Sequence, residues 1–247
     1  MLISARSFDE YRAMFALSDD DLALRVLDCP GGAASFVALA GARGTDAVAV
    51  DPQYGPGRER LGELVLREIE HKHRSVADNA SSYVWDWFGD ATRYTRLRSE
   101  AATTFAAHIT ARPERYVEGT LPHLPFADGS FDLVLSSHLL FSYGARFDAE
   151  FHRNALIELV RVARWQVRLF PVVLHTTDER YEHLDRIRAE LDGFGVASRL
   201  DRVAYEFQPG ADEMLVLECG DRGALPDPVP GAPARDPVRW RHLGDGG

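Results

Sequence analysis

The sequence predicts an α/β chain with a mostly parallel sheet and helices on both faces, and three observations carry that prediction. Short apolar runs alternate with segments whose apolar side chains recur every three or four positions. The run Arg25-Val26-Leu27-Asp28 reaches a turn, Cys29-Pro30-Gly31-Gly32, and a second run, Ala47-Val48-Ala49-Val50, ends in Asp51. Strand, glycine-bearing turn, helix and strand in that order is the plan of a nucleotide-binding unit.

The elements follow in order. Ser7 opens a helix with a capping signal and places Tyr11, Met14 and Phe15 on one face. Strands are expected at about 24–28, 46–50, 115–118, 131–136, 166–173, 197–204 and 213–219, and helices at about 34–43, 148–164 and 179–193. The last two strands are joined through Pro209-Gly210, a link so short that it favours an antiparallel pair at the sheet edge. Between Asp51 and the strand near Tyr116 the chain spends roughly 60 residues, far more than a crossover needs. Within that insertion, Leu61, Leu64, Val65, Leu66 and Ile69 have helical spacing, and Ser99–Ala111 is Ala-rich and helical. Tyr83, Trp85, Trp87, Phe88 and Tyr94 lie between the two. The expected organisation is a core of residues 1–57 and 112–220, a helical insertion at 58–111 acting as a substrate lid, and a flexible tail at 221–247.

The turn decides what kind of ligand it can meet. A pyrophosphate cradle needs glycine at three spaced points, and here they read Pro30, Gly32 and Ala34. Asp28 at the strand end repels a phosphate and suits an ammonium group. Asp51, about one strand–helix unit later, suits ribose hydroxyls. As bare structure, Asp28 could cap the next helix and Asp51 could start a turn; their joint occurrence favours a ligand site.

These residues resemble the class I S-adenosylmethionine-dependent methyltransferase family. Val26-Leu27-Asp28-Cys29-Pro30-Gly31-Gly32 matches its first motif, Asp51 its ribose-binding acid, and Leu124-Pro125-Phe126-Ala127-Asp128-Gly129-Ser130-Phe131-Asp132 its later signature. The resemblance spans about residues 22–218, with Pro30 and Ala34 replacing glycines and Thr120-Leu121 standing where many relatives have an acid beside the adenine. It implies a three-layer, Rossmann-like, seven-stranded sheet with an antiparallel last strand. It implies S-adenosyl-L-methionine as cofactor, with Asp28, Cys29, Pro30, Gly31 and Gly32 at the methionine part and Asp51 at the ribose. Pro52 or Tyr54 and Thr120-Leu121 would then meet the adenine, and Ser136 and Ser137 the methyl-facing wall.

Composition narrows the partner. With 28 Lys plus Arg against 38 Asp plus Glu, the net charge of -10 repels polyanions, which disfavours nucleic acid and leaves a small molecule or a peptide side group as substrate. No apolar stretch is long enough to span a bilayer, and a cytoplasmic location is the default expectation. The two cysteines, Cys29 and Cys219, read as reduced thiols. An exposed aromatic insertion would offer a homodimer surface.

Methyl transfer asks the protein to align the acceptor, exclude water and sometimes remove a proton. His138, directly after the fourth core strand, is the candidate base, with Tyr143 a weaker one. Tyr83, Trp85, Trp87, Phe141 and His175 are candidate substrate contacts. No metal ligand set is expected, because His71 and His73 are two apart on a helix and no Cys pair has zinc spacing. The alternatives are an NAD-dependent oxidoreductase on the same half-sheet, and a non-catalytic regulatory or partner protein that retains the cofactor.

Overall fold

Seven strands form one sheet in the order β3-β2-β1-β4-β5-β7-β6. They are β1 (Arg25–Asp28), β2 (Asp46–Asp51), β3 (Tyr116–Glu118), β4 (Phe131–Ser137), β5 (Ala163–Phe170), β6 (Ser198–Arg202) and β7 (Glu213–Glu218). The computed structural model describes residues 5–226 apart from 145, 176 and 221. The first five strands pair in parallel, and β7 runs antiparallel to both β5 and β6. β7 thus inserts between β5 and β6, leaving β6 at the edge.

The helices are α1 (Phe8–Met14), α2 (Asp19–Leu22), α3 (Phe36–Gly41), α4 (Leu61–Asp78), α5 (Ala91–Ala111), α6 (Ala149–Val162) and α7 (Leu184–Asp192). They split the apolar side chains into two cores, as expected for a parallel sheet buried on both faces. One core joins Tyr11 and Met14 of α1, Phe36 of α3, Val65 of α4 and Phe105 of α5 to the sheet. The other joins Leu156 and Val160 of α6 and Leu184 and Ile187 of α7 to the opposite face.

Some boundaries differ from expectation for identifiable reasons. Asp90 accepts the Arg93 N–H at 2.7 Å, so α5 begins at Ala91 rather than near 99, and Tyr94 and Leu97 extend its buried stripe. Gly62 of α4 lies where an added Cβ would meet the Ala106 backbone at 2.9 Å, and the two insertion helices therefore pack at close range. β5 ends at Phe170 rather than 173 because Pro171 has no N–H for the ladder. Residues 179–181 bridge back to the 172–174 segment, through Leu174 N–H to Glu179 O and Tyr181 N–H to Val172 O, so α7 starts at Leu184.

The expected tail behaves differently at its start. Arg222 donates to the carbonyls of Cys219 and Arg161, Gly223 N–H donates to Phe194 O, and Leu225 packs on the second core. Residues 221 and 227–247 lie outside the described residues.

A buried ion pair fastens the N-terminal helices to the sheet. Arg168 of β5 donates to both carboxylate oxygens of Asp21 at 3.0 and 2.8 Å and to Phe15 O at 2.9 Å. Burial alone would raise the Asp21 pKa, but the bonds from Arg168 and from Ser18 hold it below its usual value. The stability it contributes is therefore present at neutral pH and is lost as pH falls through the lowered value. Asp21→Ala leaves the guanidinium buried without that carboxylate, and urea denaturation should show a loss of about 3–5 kcal/mol.

Candidate cofactor and active site

The site forms where the parallel strands end. Parallel pairing sets Asp28, the last residue of β1, opposite Ala49, so Asp51 at the end of β2 lies two residues farther along the neighbouring strand. Both carboxylates are buried, at 1% and 5% exposure. Burial pushes the Asp28 pKa well above the usual carboxylate range, and the nearby negative charge of Asp51 adds to the rise. Asp51 is raised as well, by burial, despite two backbone donors.

Those donors tie the acid to the turn. Gly32 N–H reaches Asp51 Oδ2 at 3.1 Å, and Gln53 N–H reaches Oδ1 at 3.0 Å. Gly32 takes φ +52°, the left-handed region that glycine enters at little cost. Beneath the turn, the Tyr54 hydroxyl donates to Gly32 O at 2.7 Å, and a Cβ at Gly31 would come within 2.6 Å of that hydroxyl oxygen. Tyr54, only 1% exposed and edge-on to Tyr116, braces the turn from below and presents no free ring face to a base. Cys29 is buried, and burial together with Asp28 raises its thiol pKa well above normal, so it stays neutral and is no nucleophile. Pro30 is partly buried in the same turn.

The first core supplies groups that the sequence reading did not assign to the site. Tyr11, spaced with the apolar face of α1, turns its hydroxyl into a bridge to both oxygens of Asp28, at 3.0 and 3.1 Å. Its neighbour Glu10 pairs with Arg98 of α5 at 2.7 Å and accepts from the Tyr205 hydroxyl at 3.0 Å. Tyr11 carries a legible signal, a hydroxyl at a core position; Arg98 carries none, because it precedes the Ala-rich stretch from Ser99 whose composition marks the helix.

The remaining expected residues separate into two groups. Ser136 and Ser137 are buried at the end of β4, and Ser137 Oγ lies 2.8 Å from His138 Nδ1. His138 adopts φ +50° and its N–H donates to Phe170 O at 2.7 Å, which turns the residue out of the strand direction at the tips. Burial, then Arg6, Arg98 and His175, hold its pKa well below the usual value, so the imidazole is neutral at physiological pH. Tyr143 and His175 have ring centroids 6.5 Å apart, and His175 is exposed with Nδ1 3.2 Å from Gln208 Oε1.

Phe141 does not join them. At 1% exposure it packs on His152 and Tyr181 in the second core, on the other face of the sheet. Tyr83, Trp85 and Trp87 are half-buried and engage Phe207, Tyr94 and Tyr205. Tyr83 stacks on Phe207 with centroids 4.4 Å apart, so these rings fasten the insertion to the β6–β7 connection. Thr120 is exposed and Leu121 buried after β3. A cavity of ≈ 410 Å³ adjoins the β2 tip, lined by Pro52, Gln53, Leu61, Leu64 and Glu118 among others, without Thr120 or Leu121.

The sheet order, with β7 antiparallel between β5 and β6, is that of a Rossmann-like methyltransferase fold. Residues 82–170 match the family model described as a methyltransferase domain. That match covers the second half of the insertion through β5 and leaves out Asp28 and Asp51. The chain is 27% identical over 219 residues, 87% of its length and 95% of the other's, to an uncharacterized protein of Methanocaldococcus jannaschii. Similar solved structures include the PH0226 protein of Pyrococcus horikoshii OT3, with 14% identity, 84% and 90% of the two chains covered, and a TM-score of 0.43. Another is the magnesium protoporphyrin IX methyltransferase of Synechocystis PCC 6803 with bound SAH, at 15% identity, 85% and 80% coverage, and a TM-score of 0.43. No described helix is long and apolar enough to cross a membrane.

The Tyr11 contact can be tested directly. The hydroxyl's bond lowers the Asp28 pKa against the larger rise from burial. Tyr11→Phe should therefore raise the Asp28 pKa further, measurable by carboxyl-carbon NMR titration against the unmodified chain.

Proposed function

We propose that this chain transfers a methyl group from S-adenosylmethionine to a small molecule or a peptide side group. The observation that carries the reading is the burial of Asp28 and Asp51 together at adjacent strand tips, both with raised pKa values. Such a pair is relieved by a cation and repelled by a pyrophosphate, which favours a cationic nucleoside over NAD.

The residues present fit that cofactor. Asp28 would meet the ammonium of its amino-acid tail. Each Asp51 oxygen holds one backbone N–H and keeps lone-pair capacity, enough for the two ribose hydroxyls. The cavity over Pro52 and Gln53 continues from there and would take the adenine, in place of the contacts expected from Tyr54 and Thr120-Leu121. The bound cofactor supplies an electrophilic methyl group on sulfur.

The chain's own part is orientation and proton handling. His138, neutral and braced by the Ser137 hydroxyl, can accept a hydrogen bond from an acceptor hydroxyl or amine at the tip of β4. The cations Arg6 and Arg98 oppose its protonation, so it orients the acceptor and takes a proton only from a group made acidic by methylation. The insertion closes this end through Arg98 and the aromatic rings, which supports an acceptor of modest size.

Two measurements test the reading. Asp51→Asn keeps the shape and removes the charge, and calorimetric affinity for S-adenosylmethionine should fall at least about tenfold, as expected for losing charge-assisted hydrogen bonds. Unchanged affinity rejects the ribose assignment.

The second concerns pH. Both acids bind protons more tightly folded than unfolded, so the stability they contribute is full at low pH and is lost as pH rises through the raised values. Ligand binding runs the other way, because an ammonium needs Asp28 ionised; Tyr11, Asp51 and Arg6 are the other groups facing it. Affinity should increase with pH across that interval, with protons released on binding, as read by calorimetry in two buffers of different ionisation enthalpy. An affinity flat with pH and no proton release removes Asp28 from the contact.

A further inference from the structure

We propose that His152 is a positioning residue for the acceptor side of the site: it holds the loop between β4 and α6 in the shape that aims His138, an inference that rests on the role given to His138 above. His152 stands on α6 against Phe141 and Tyr181 of the second core. It acts through the backbone two residues beyond His138.

The need for such a hold comes from His138 itself. Its φ of +50° lies in the left-handed region, which a residue with a Cβ enters at a cost and keeps only where the surrounding structure fixes it. On one side the fixing bond is its own N–H, which donates to Phe170 O at 2.7 Å. On the other it belongs to Leu140, whose carbonyl lies 2.9 Å from His152 Nε2.

The imidazole spans the loop at its base. His152 Nδ1 lies 2.8 Å from the carbonyl of Asp148, the residue that caps α6, so one ring reaches both ends of the connection. Both carbonyls can only accept. In the neutral ring Nε2–H donates to Leu140 O, and the Tyr181 hydroxyl, 3.2 Å away, donates to Nδ1. A doubly protonated ring serves Asp148 O as well, so either form keeps the bond to Leu140.

Packing makes that bond hard to give up. His152 is fully buried, stacked on Tyr181 with centroids 4.4 Å apart and on Phe141 at 6.2 Å. Leu140 is buried too, and its carbonyl would lose its partner without gaining water if the imidazole were removed. Gly144 lets the loop close on the same ring, since an added Cβ there would lie 2.6 Å from Tyr181 Cδ2. Farther along, His175 N–H donates to Ser142 O at 3.0 Å, so the held loop also sets where His175 stands beside Tyr143.

The test compares the unmodified chain with His152→Phe, which keeps a stacking ring and removes the donor, and with His152→Gln, whose amide can donate to Leu140 O. In His152→Phe, hydrogen exchange at the His138 and His175 amides should quicken about tenfold while the Gly32 amide, bonded to Asp51, stays unchanged; a merely structural role would quicken all of them. Burial, Arg6, Arg98 and His175 hold the His138 imidazole below its usual pKa, and NMR titration of His152→Phe should show it move up as the loosened loop admits water. His152→Gln should restore both readouts in large part. Calorimetric affinity for S-adenosylmethionine should be equal in all three chains, because Asp28 and Asp51 are carried by β1 and β2. If His152→Phe has no cooperative melting transition, His152→Asn, whose shorter amide stays at the Asp148 end, takes its place with the same criterion. Unchanged exchange at His138 together with an unchanged titration overturns the inference, as does a Gln variant that behaves like the Phe variant. An unmodified chain that does not bind S-adenosylmethionine overturns the cofactor reading instead, and exchange and titration still decide whether His152 aims His138.

Discussion

Two carboxylates buried at neighbouring strand tips are the constraint around which the rest of this molecule is arranged. Water is largely excluded from both, burial raises the cost of ionising each, and the charge of Asp51 adds to the cost at Asp28. The surrounding structure offsets part of that cost with the Tyr11 hydroxyl, two backbone amides and the charge of Arg6. The remainder is what the proposed cationic ligand would relieve. Electrostatic need and ligand choice are in this sense one property of the site.

Chain elements far apart in sequence converge on that pair through α1. Adjacent residues on this short helix point to different partners: Tyr11 to Asp28, and Glu10 to Arg98 of the insertion and to Tyr205 before β7. Ser7 caps the helix by accepting Glu10 N–H while Glu10 accepts the Ser7 N–H, so the cap itself orients the carboxylate that holds the insertion. On the other side of the same N-terminal region, Arg168 fixes Asp21. A helix of seven residues, too short to be stable alone, is held in place by charge at both ends of its segment.

The features legible in the sequence were those with strong local signals. The turn between β1 and β2, the acids that end both strands and the antiparallel pair at the edge follow from glycine, proline and apolar runs, and the structure has them where expected. Periodicity could not say which face of the sheet a residue serves. Phe141 lies one helical turn from His138 in sequence, yet it is buried in the opposite core. Tyr54 follows Asp51 by three residues but turns under the strand tips, because its hydroxyl satisfies Gly32 O. Tyr11 and Arg98 were missed for a related reason: their site partners, Asp28 and Glu10, are 17 and 88 residues away, and only tertiary packing brings them together.

The position of β7 has a consequence for how the chain is made. Its backbone supplies partners for β5 and β6 alike, yet it is the last in the chain of the seven described strands. Until residues 213–218 emerge, β5 presents an open ladder of amides and carbonyls and β6 has nothing to pair with. The nascent protein must therefore finish this sheet only after the other six strands have been made, and a chain stopped short of β7 would expose a sticky edge that invites aggregation.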